Sequence, residues 1–518
     1  MQSEIGSNFW LSPDDVIGSN VIPSPDIFNC AGSDYVWLST CRSAIELVIR
    51  TIEQRNPNVK KVVCLPAFTC QTVLEPFVKA GYKIITLPLD EDLTSSTREI
   101  LKIIEETSVG IVLFHRYFGF DTLPGIDEVL PVLQKKNVIV IEDCTQSLYS
   151  SFNRMAADYF VGSIRKWCGV PDGGFAVCKD GAFTDKPMRS DIALERAKRV
   201  ASEMKYRYLF LYAGDKDTYL TRYRDAENLL DNQSQIYAIG ELSKIVQRNL
   251  DICQMKIKRR RNYQTLLQVL KDIDGITPLF GRMENGDVPL YFPILCDDRE
   301  KIQKLLVKNA VYAPIIWPKN EIFSRVSEKV EYVYEHLLCI PIDQRYDTDD
   351  MERIGAIMKN MDIQYDWMKW EDILPYKEQL IQLEHELMIR YHYPDKIISV
   401  DYPSSRVENL KEHIMSGNTF FWAACRGNEL LGYMWCYTSP FIDIKRWNIR
   451  SIMFKSSAQS LGLGHIALEE GERKALEIGC TEICTEYVPF NDHMAHVMER
   501  EGFEVTRVEV VKRLNRDN

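Results

Sequence analysis

The 518-residue sequence has no uncharged apolar run near the ~18 residues that a membrane-crossing helix needs, so no membrane span is expected. Its opening, MQSEIGSNFWLSPDD, has no basic region followed by an apolar stretch, so a secretory leader is not expected and a cytoplasmic location is. Positive charge is in deficit. The 63 Lys and Arg against 74 Asp and Glu give a net charge of -11, which argues against an electrostatic grip on nucleic acid or anionic lipid and leaves small molecules as partners. Fourteen cysteines are present, but none form the CxxC pairs of zinc sites or secreted scaffolds. They read as reduced core thiols, and no metal site is expected. Internal repeats and low-complexity linkers are also missing.

What remains is a chain with 45% hydrophobic residues, enough to fold and too long for one ordinary core. Between residues 43 and 143, helical patterns such as SAIELVIRTIEQ alternate with short apolar runs such as KKVVCLPA, VGIVLFHRY and NVIVIEDC. This is the pattern of an α/β domain whose largely parallel sheet is buried on both faces. Ligands of such sheets sit beyond the carboxyl ends of the strands, which points to Pro66–Cys70, His115–Gly119, Asp143–Gln146 and the stretch around Lys166. Farther on, VPLYFPILCDD and DREKIQKLLVKNAVYAPIIWP read as a smaller β-α-β layer closing by about residue 362. The basic run KIKRRRNY, 256–263, reads as a solvated helix face. From about residue 368 two helical patterns and a hairpin turning at Gly427 and Asn428 start a second domain. The expected boundaries are 1–365, with a smaller subdomain over about 240–365, and 368–518.

Three strand-end features belong together chemically. EDCTQS ends a strand with Asp143, SIRKW offers Lys166, and LSTCRSAIEL places Cys41, Arg42 and Ser43 at a helix start whose amides can hold a phosphate. An amine, a carboxylate and a phosphate site are the handles of pyridoxal phosphate. In order along the chain, STCRSAIEL, LPAFTCQT, HRYFG, EDCTQS, Lys166 and PDGG resemble the fold type I pyridoxal phosphate enzymes, specifically the DegT-type aminotransferases of nucleotide-linked keto sugars. The resemblance implies that Lys166 forms the Schiff base and shuttles the proton, Asp143 pairs with the ring nitrogen, and Gln146 bonds the ring hydroxyl. It further implies that Cys41, Arg42 and Ser43 cradle the phosphate with Ser163 as a hydroxyl partner, and that the protein is a homodimer. Some positions depart from the family. Cys70 stands where an aromatic stacks on the ring, leaving Phe68 or His115 for that role, and Trp317 replaces a histidine.

In the C-terminal part, SIMFKSSAQSLGLGHIALEEGERKALEIG carries glycines between a strand and a helix, a turn that lets backbone amides approach a pyrophosphate. With NDHMAHVMEREGFE downstream, it resembles the GNAT superfamily of acyl-coenzyme A N-acyltransferases, an α+β fold. That resemblance implies acetyl-CoA or another acyl-CoA held at Gln459, Leu461, Gly462, Leu463, Gly464 and His465, with Asn491 contacting the pantetheine arm or the amine. Met498 replaces the tyrosine that protonates the leaving thiolate. Glu486 is the candidate base and Tyr487 the alternative acid. Together the halves imply a transaminase that makes an amine from a keto sugar, with glutamate as donor, and an acyltransferase that consumes it in polysaccharide or glycoconjugate precursor biosynthesis. Two alternatives stand beside this: an amino-acid or natural-product ketone as substrate, or a first domain that has lost catalysis and serves as a scaffold.

Overall fold

The structure, a computed structural model, describes residues 4–17, 25–271, 273–319, 322, 326–393, 396–458, 461–488 and 491–507. The chain divides into two compact units, Met1–Met358 and Lys359–Asn518.

In the first unit a short β1 (Ile5–Gly6) precedes β2 (Asp34–Leu38). Helices and strands then alternate as α1 (Cys41–Arg55), β3 (Val62–Pro66), α2 (Gln71–Lys79), β4 (Lys83–Leu87), α3 (Thr97–Glu106), β5 (Ile111–His115), α4 (Ile126–Lys135), β6 (Ile139–Asp143), β7 (Tyr159–Ser163) and β8 (Gly174–Cys178). Seven strands form one sheet in the order β2-β8-β7-β6-β5-β3-β4. The strands from β3 to β7 run parallel, while β8 is antiparallel to both its neighbours. Every residue of β5 and β7 is buried, because helices cover both faces and Val, Ile, Leu and Phe fill the pleat.

Helices α5 (Ile192–Phe210), α6 (Lys216–Asp231), α7 (Glu241–Asn249) and α8 (Ile252–Val269) lead to the smaller layer. This contains β9 (Ile276–Pro278), β10 (Phe292–Cys296), α9 (Arg299–Lys308), β11 (Val311–Tyr312), α10 (Glu328–His336), β12 (Leu337–Ile340) and α11 (Thr348–Lys359). Its sheet is antiparallel, in the order β12-β10-β9. The segment AVYAPIIWP does not supply a strand of this sheet as expected. It yields only β11, which pairs with β1, and Pro314 and Pro318 deny it the donors for a longer ladder. The basic run on α8 is likewise not wholly solvated. Met255, Arg259, Asn262, Tyr263 and Leu266 fall on one helical face and are buried, while Lys258 and Arg261 are exposed.

The second unit contains β13 (Ile363–Met368), α12 (Trp370–Ile373), α13 (Lys377–Leu387), α14 (Asp401–Met415), β14 (Thr419–Arg426), β15 (Glu429–Phe441), β16 (Ile444–Phe454), α15 (Leu463–Glu477), β17 (Glu482–Thr485) and α16 (Asp492–Arg500). Its sheet runs β13-β14-β15-β16-β17, antiparallel except for the final parallel pair. The division between units falls a few residues before the expected 365 because β13 hydrogen-bonds along β14 and so belongs to the second sheet. One sheet face packs Phe421, Tyr433 and Trp435 against α13 and α14; the other packs Trp422, Met434 and Trp447 against α15 and α16. Among the described residues no helix is long and apolar enough to cross a membrane, and no cluster of His, Cys, Asp and Glu could hold a metal ion.

Two candidate active sites

In the first unit the carboxyl ends of β5, β6 and β7 meet the N-terminus of α1. Asp143 ends β6, with its carboxyl buried and accepting the Thr145 N–H at 2.9 Å and the Cys41 thiol at 3.9 Å. Burial raises its pKa, the bonds from Thr145 and Cys41 oppose that, and Glu142 raises it further. No cation stands among these influences, so the carboxyl is open to a cationic partner. Lys166 closes a turn, Ile164–Lys166, directly after β7. Its side chain is exposed along a cavity that it borders, while its amine end is packed within the protein. Burial, then the charge of Arg165, lowers its pKa against the opposing pull of Cys70 and Glu227. Cys70, at the start of α2, acts electrostatically on both Lys166 and Cys41, and Cys41 lies against Asp143. Asp143 and Lys166 thus stand at the carboxyl ends of two neighbouring parallel strands, β6 and β7.

The remaining residues of that expected site divide into two groups. Gln146 is buried, and its side-chain oxygen accepts the Phe118 N–H at 2.9 Å, leaving its NH2 as the donor that a ring hydroxyl would meet. His115 pairs in register with Asp143, so both side chains leave the same sheet face. Burial pushes its pKa down to about 4, and its Nε2 is buried without a partner. Its ring stacks on Trp317 at 5.8 Å. Phe68 is fully buried among Tyr117, Trp317 and Tyr334, which leaves His115 closer in register to Asp143 for a stacking role.

At the helix start, Thr40 caps α1 by accepting the Ser43 N–H at 3.0 Å, while the amides of Cys41 and Arg42 have no hydrogen bond among the described residues. The Arg42 guanidinium turns to Glu75 at 2.9 Å and to the Leu230 carbonyl, so only its amide is placed for a phosphate. Ser163 donates to the Gly173 carbonyl at 3.1 Å and accepts the Arg165 N–H; its hydroxyl shapes the lysine turn. Thr145, which anchors Asp143, lies within the Asp143–Gln146 stretch that the sequence points to, but no role was expected of it, although a Thr two residues after a strand-end Asp is a turn signal.

In the second unit β16 and β17 pair only from Arg446↔Glu482 to Ile449↔Thr485, after which β17 ends and β16 runs on to Phe454. Arg450 is skipped in the β15 register, a bulge at the point where the strands part. Glu486 directly follows β17 there; it is exposed and acts electrostatically on His392. Tyr487 is also exposed. Gly462, at φ 71°, is the N-cap of α15 and offers no side chain to its amides. The first amides of α15, at Leu463, Gly464 and His465, therefore form an uncapped N-terminus of the kind that receives a pyrophosphate. Leu461 precedes this turn, and His465 contacts Glu501 and Glu469. Gln459 lies outside the described residues. Asn491 caps α16 by accepting the Met494 N–H at 3.2 Å, leaving its NH2 for a ligand, and Met498 is buried in the core. Sequence reading also missed Glu384, which is fully buried on α13. It accepts from Ser451 at 2.9 Å, Arg406 at 3.0 Å and Tyr433.

The first unit is thus an α/β fold with Asp143 and Lys166 at the ends of adjacent strands, and the second an α+β fold with a parted sheet and an uncapped glycine turn. Residues 32–184 match the DegT/DnrJ/EryC1/StrS aminotransferase family, and residues 381–503 match the acetyltransferase (GNAT) family. The chain joins an aminotransferase-family domain to an N-acyltransferase-family domain, whose families work with pyridoxal phosphate and an acyl-coenzyme A.

Among solved structures, the chain resembles PseC of Helicobacter pylori, an aminotransferase involved in the biosynthesis of pseudoaminic acid. Identity is 14% and the TM-score 0.50, covering 69% of this chain and 99% of that one. The sugar aminotransferase CalS13 of Micromonospora echinospora is 14% identical with a TM-score of 0.45, over 63% of this chain and 87% of that one. A curated relative, the uncharacterized N-acetyltransferase YdgE of Bacillus subtilis (strain 168), is 24% identical over 100 residues. That match covers 19% of this chain and 64% of the relative, slightly under two thirds of its length.

Proposed function

We propose that the first unit transaminates a nucleotide-linked keto sugar and that the second N-acylates the new amine with acetyl-CoA. The observation that carries this reading is the pairing of sites in one chain: one that can make a primary amine and one that consumes it. Glutamate is the amino donor, the chain works as a homodimer in the cytoplasm, and the product is a precursor of polysaccharides or glycoconjugates.

Bound pyridoxal phosphate supplies an electrophilic carbon and an electron sink. The chain's own residues do the rest. Lys166, its pKa lowered by burial and by Arg165, holds more neutral amine at neutral pH than a surface lysine and can take and return a proton at Nζ. Asp143, fixed by Thr145 and Cys41, would hold the ring nitrogen, and Gln146 would orient the ring hydroxyl. The free amides of Cys41 and Arg42 would take the phosphate. In the second unit the amides opening α15 would hold the pyrophosphate, and Glu486, beside the parting strands, would draw a proton from the acceptor amine.

The test uses the intact protein with a panel of nucleotide-linked keto sugars, glutamate and acetyl-CoA, and follows release of the coenzyme A thiol. Release should require glutamate and stop in Lys166→Ala, whose lysine-linked chromophore should also vanish. Thiol release indifferent to both glutamate and Lys166 would defeat the coupled reading, and a panel without turnover would defeat the sugar assignment.

A further inference from the structure

The basic run on α8 hides a buried cation that none of the roles above use. Arg259 has no exposed surface, and its guanidinium lies over the Trp167 ring at 4.8 Å, next to Lys166. Its Nε donates to the Gln344 side-chain oxygen at 3.0 Å, and its Nη1 donates to the carbonyls of Leu290 at 2.9 Å and Pro289 at 3.3 Å. Gln344 in turn donates to the Trp167 carbonyl at 2.7 Å. Nη2, the other end of the fork, is buried with no partner.

Arg259 also lines the cavity of about 430 Å³ that Lys166 borders, together with Tyr291, Asp343 and Arg345. Asp343 and Arg345 neutralise each other through paired contacts of 2.7 and 2.8 Å. Lys166 and Arg259 are then the lining cations without a direct ion pair there. Burial pushes the Arg259 pKa down only to about 10, with the Asp343 carboxylate opposing the fall without touching the guanidinium, so it stays charged at neutral pH. A buried guanidinium with an idle donor is costly unless an anion completes it.

We propose that Arg259 anchors an oxyanion of the substrate in this cavity, beside Lys166, through Nη2. The carboxylate of an amino donor and the phosphate of a nucleotide share that chemistry, and the fork of an arginine suits either. The inference rests on reading Lys166 as the reactive amine.

The test is calorimetric binding to the cofactor-loaded full chain of glutarate, a dicarboxylate with no amine to transfer, and of uridine diphosphate. Arg259→Gln should weaken one or both by roughly 10- to 100-fold, the loss of a charge-assisted bond, and Arg259→Lys should recover part of the loss. Weakened glutarate assigns the anchor to the donor carboxylate; weakened uridine diphosphate assigns it to the nucleotide. Should Arg259→Gln lose its cooperative melt, Arg259→Lys decides by the same ratio, since it keeps the charge but loses the fork. Neither ligand binding to the wild type, or both binding the folded variants as tightly as the wild type, overturns the proposal. A wild type without the lysine-linked chromophore would instead overturn the reading of Lys166, so the two failures are distinguishable.

Discussion

Gly174→Ala tests a crowded backbone approach in the first site. Gly174 opens β8 where it runs past the start of α1, and a Cβ there would stand 2.2 Å from both the carbonyl carbon and oxygen of Thr40 and 2.6 Å from the Cys41 nitrogen. All three are backbone atoms, so no side-chain rotation can relieve the clash; β8 and the helix start must move apart. Overpacking of this kind costs about 1–3 kcal/mol. With an unfolding entropy of ~2.1 cal/mol/K per residue over a unit of this size, the melting temperature should fall by about 1–4 °C. The displaced atoms include the Cys41 amide and, through Cys41, a contact of Asp143, so cofactor affinity should fall as well. Differential scanning calorimetry and titration of the apo-protein with pyridoxal phosphate measure the two effects. A variant that melts with the wild type and binds the cofactor equally well would refute the close approach and the phosphate role of the helix start.

Other perturbations test separate parts of the structure. His115 has its pKa pushed down to about 4 by burial, against 6.5 when unfolded, so the unfolded chain binds the extra proton first and stability falls as pH drops from 6.5 to 4. That loss should approach about 3 kcal/mol in urea melts, and His115→Phe should abolish it; an unchanged pH slope in the variant would refute the assignment. Glu384→Ala leaves the Tyr433 hydroxyl and Arg406 without their shared acceptor, and should destabilise the second unit by about 3–5 kcal/mol in chemical denaturation. Gly462→Val meets open space but must hold φ 71°, which costs about 1–2 kcal/mol, and should weaken coenzyme A binding by calorimetry without unfolding the unit.

The features legible in the sequence are local ones. Short Val/Ile/Leu runs between amphipathic helices marked the parallel strands, and the ends of those strands marked Asp143 and Lys166, because in an α/β sheet chain order fixes where strand ends lie. Arg259 was not legible. RRR reads the same whichever arginine is buried, and the choice is made by the phase of α8 against Pro289, Leu290 and Gln344, none of them near in sequence. Glu384 is hidden for the same reason: its partners stand 22, 49 and 67 residues away. The pairing of β11 with β1 joins segments from opposite ends of the first unit, and nothing local in AVYAPIIWP announces it.

These distant arrangements share a physical property with the two candidate sites. Asp143 is a buried carboxyl without a cation, Arg259 a buried cation with an idle donor, and α15 a helix start without a side-chain cap. Each gains most from a ligand of the complementary charge, and a ligand that binds only the folded state stabilises the unit that holds it, by about 2.7 kcal/mol at a hundredfold excess over Kd. Pyridoxal phosphate should therefore raise the melting of the first unit and coenzyme A that of the second, each resolved by following a unit-specific probe. Coenzyme A that stabilised only the aminotransferase-family unit, or pyridoxal phosphate that stabilised only the other, would show that the open valences had been matched to the wrong ligands.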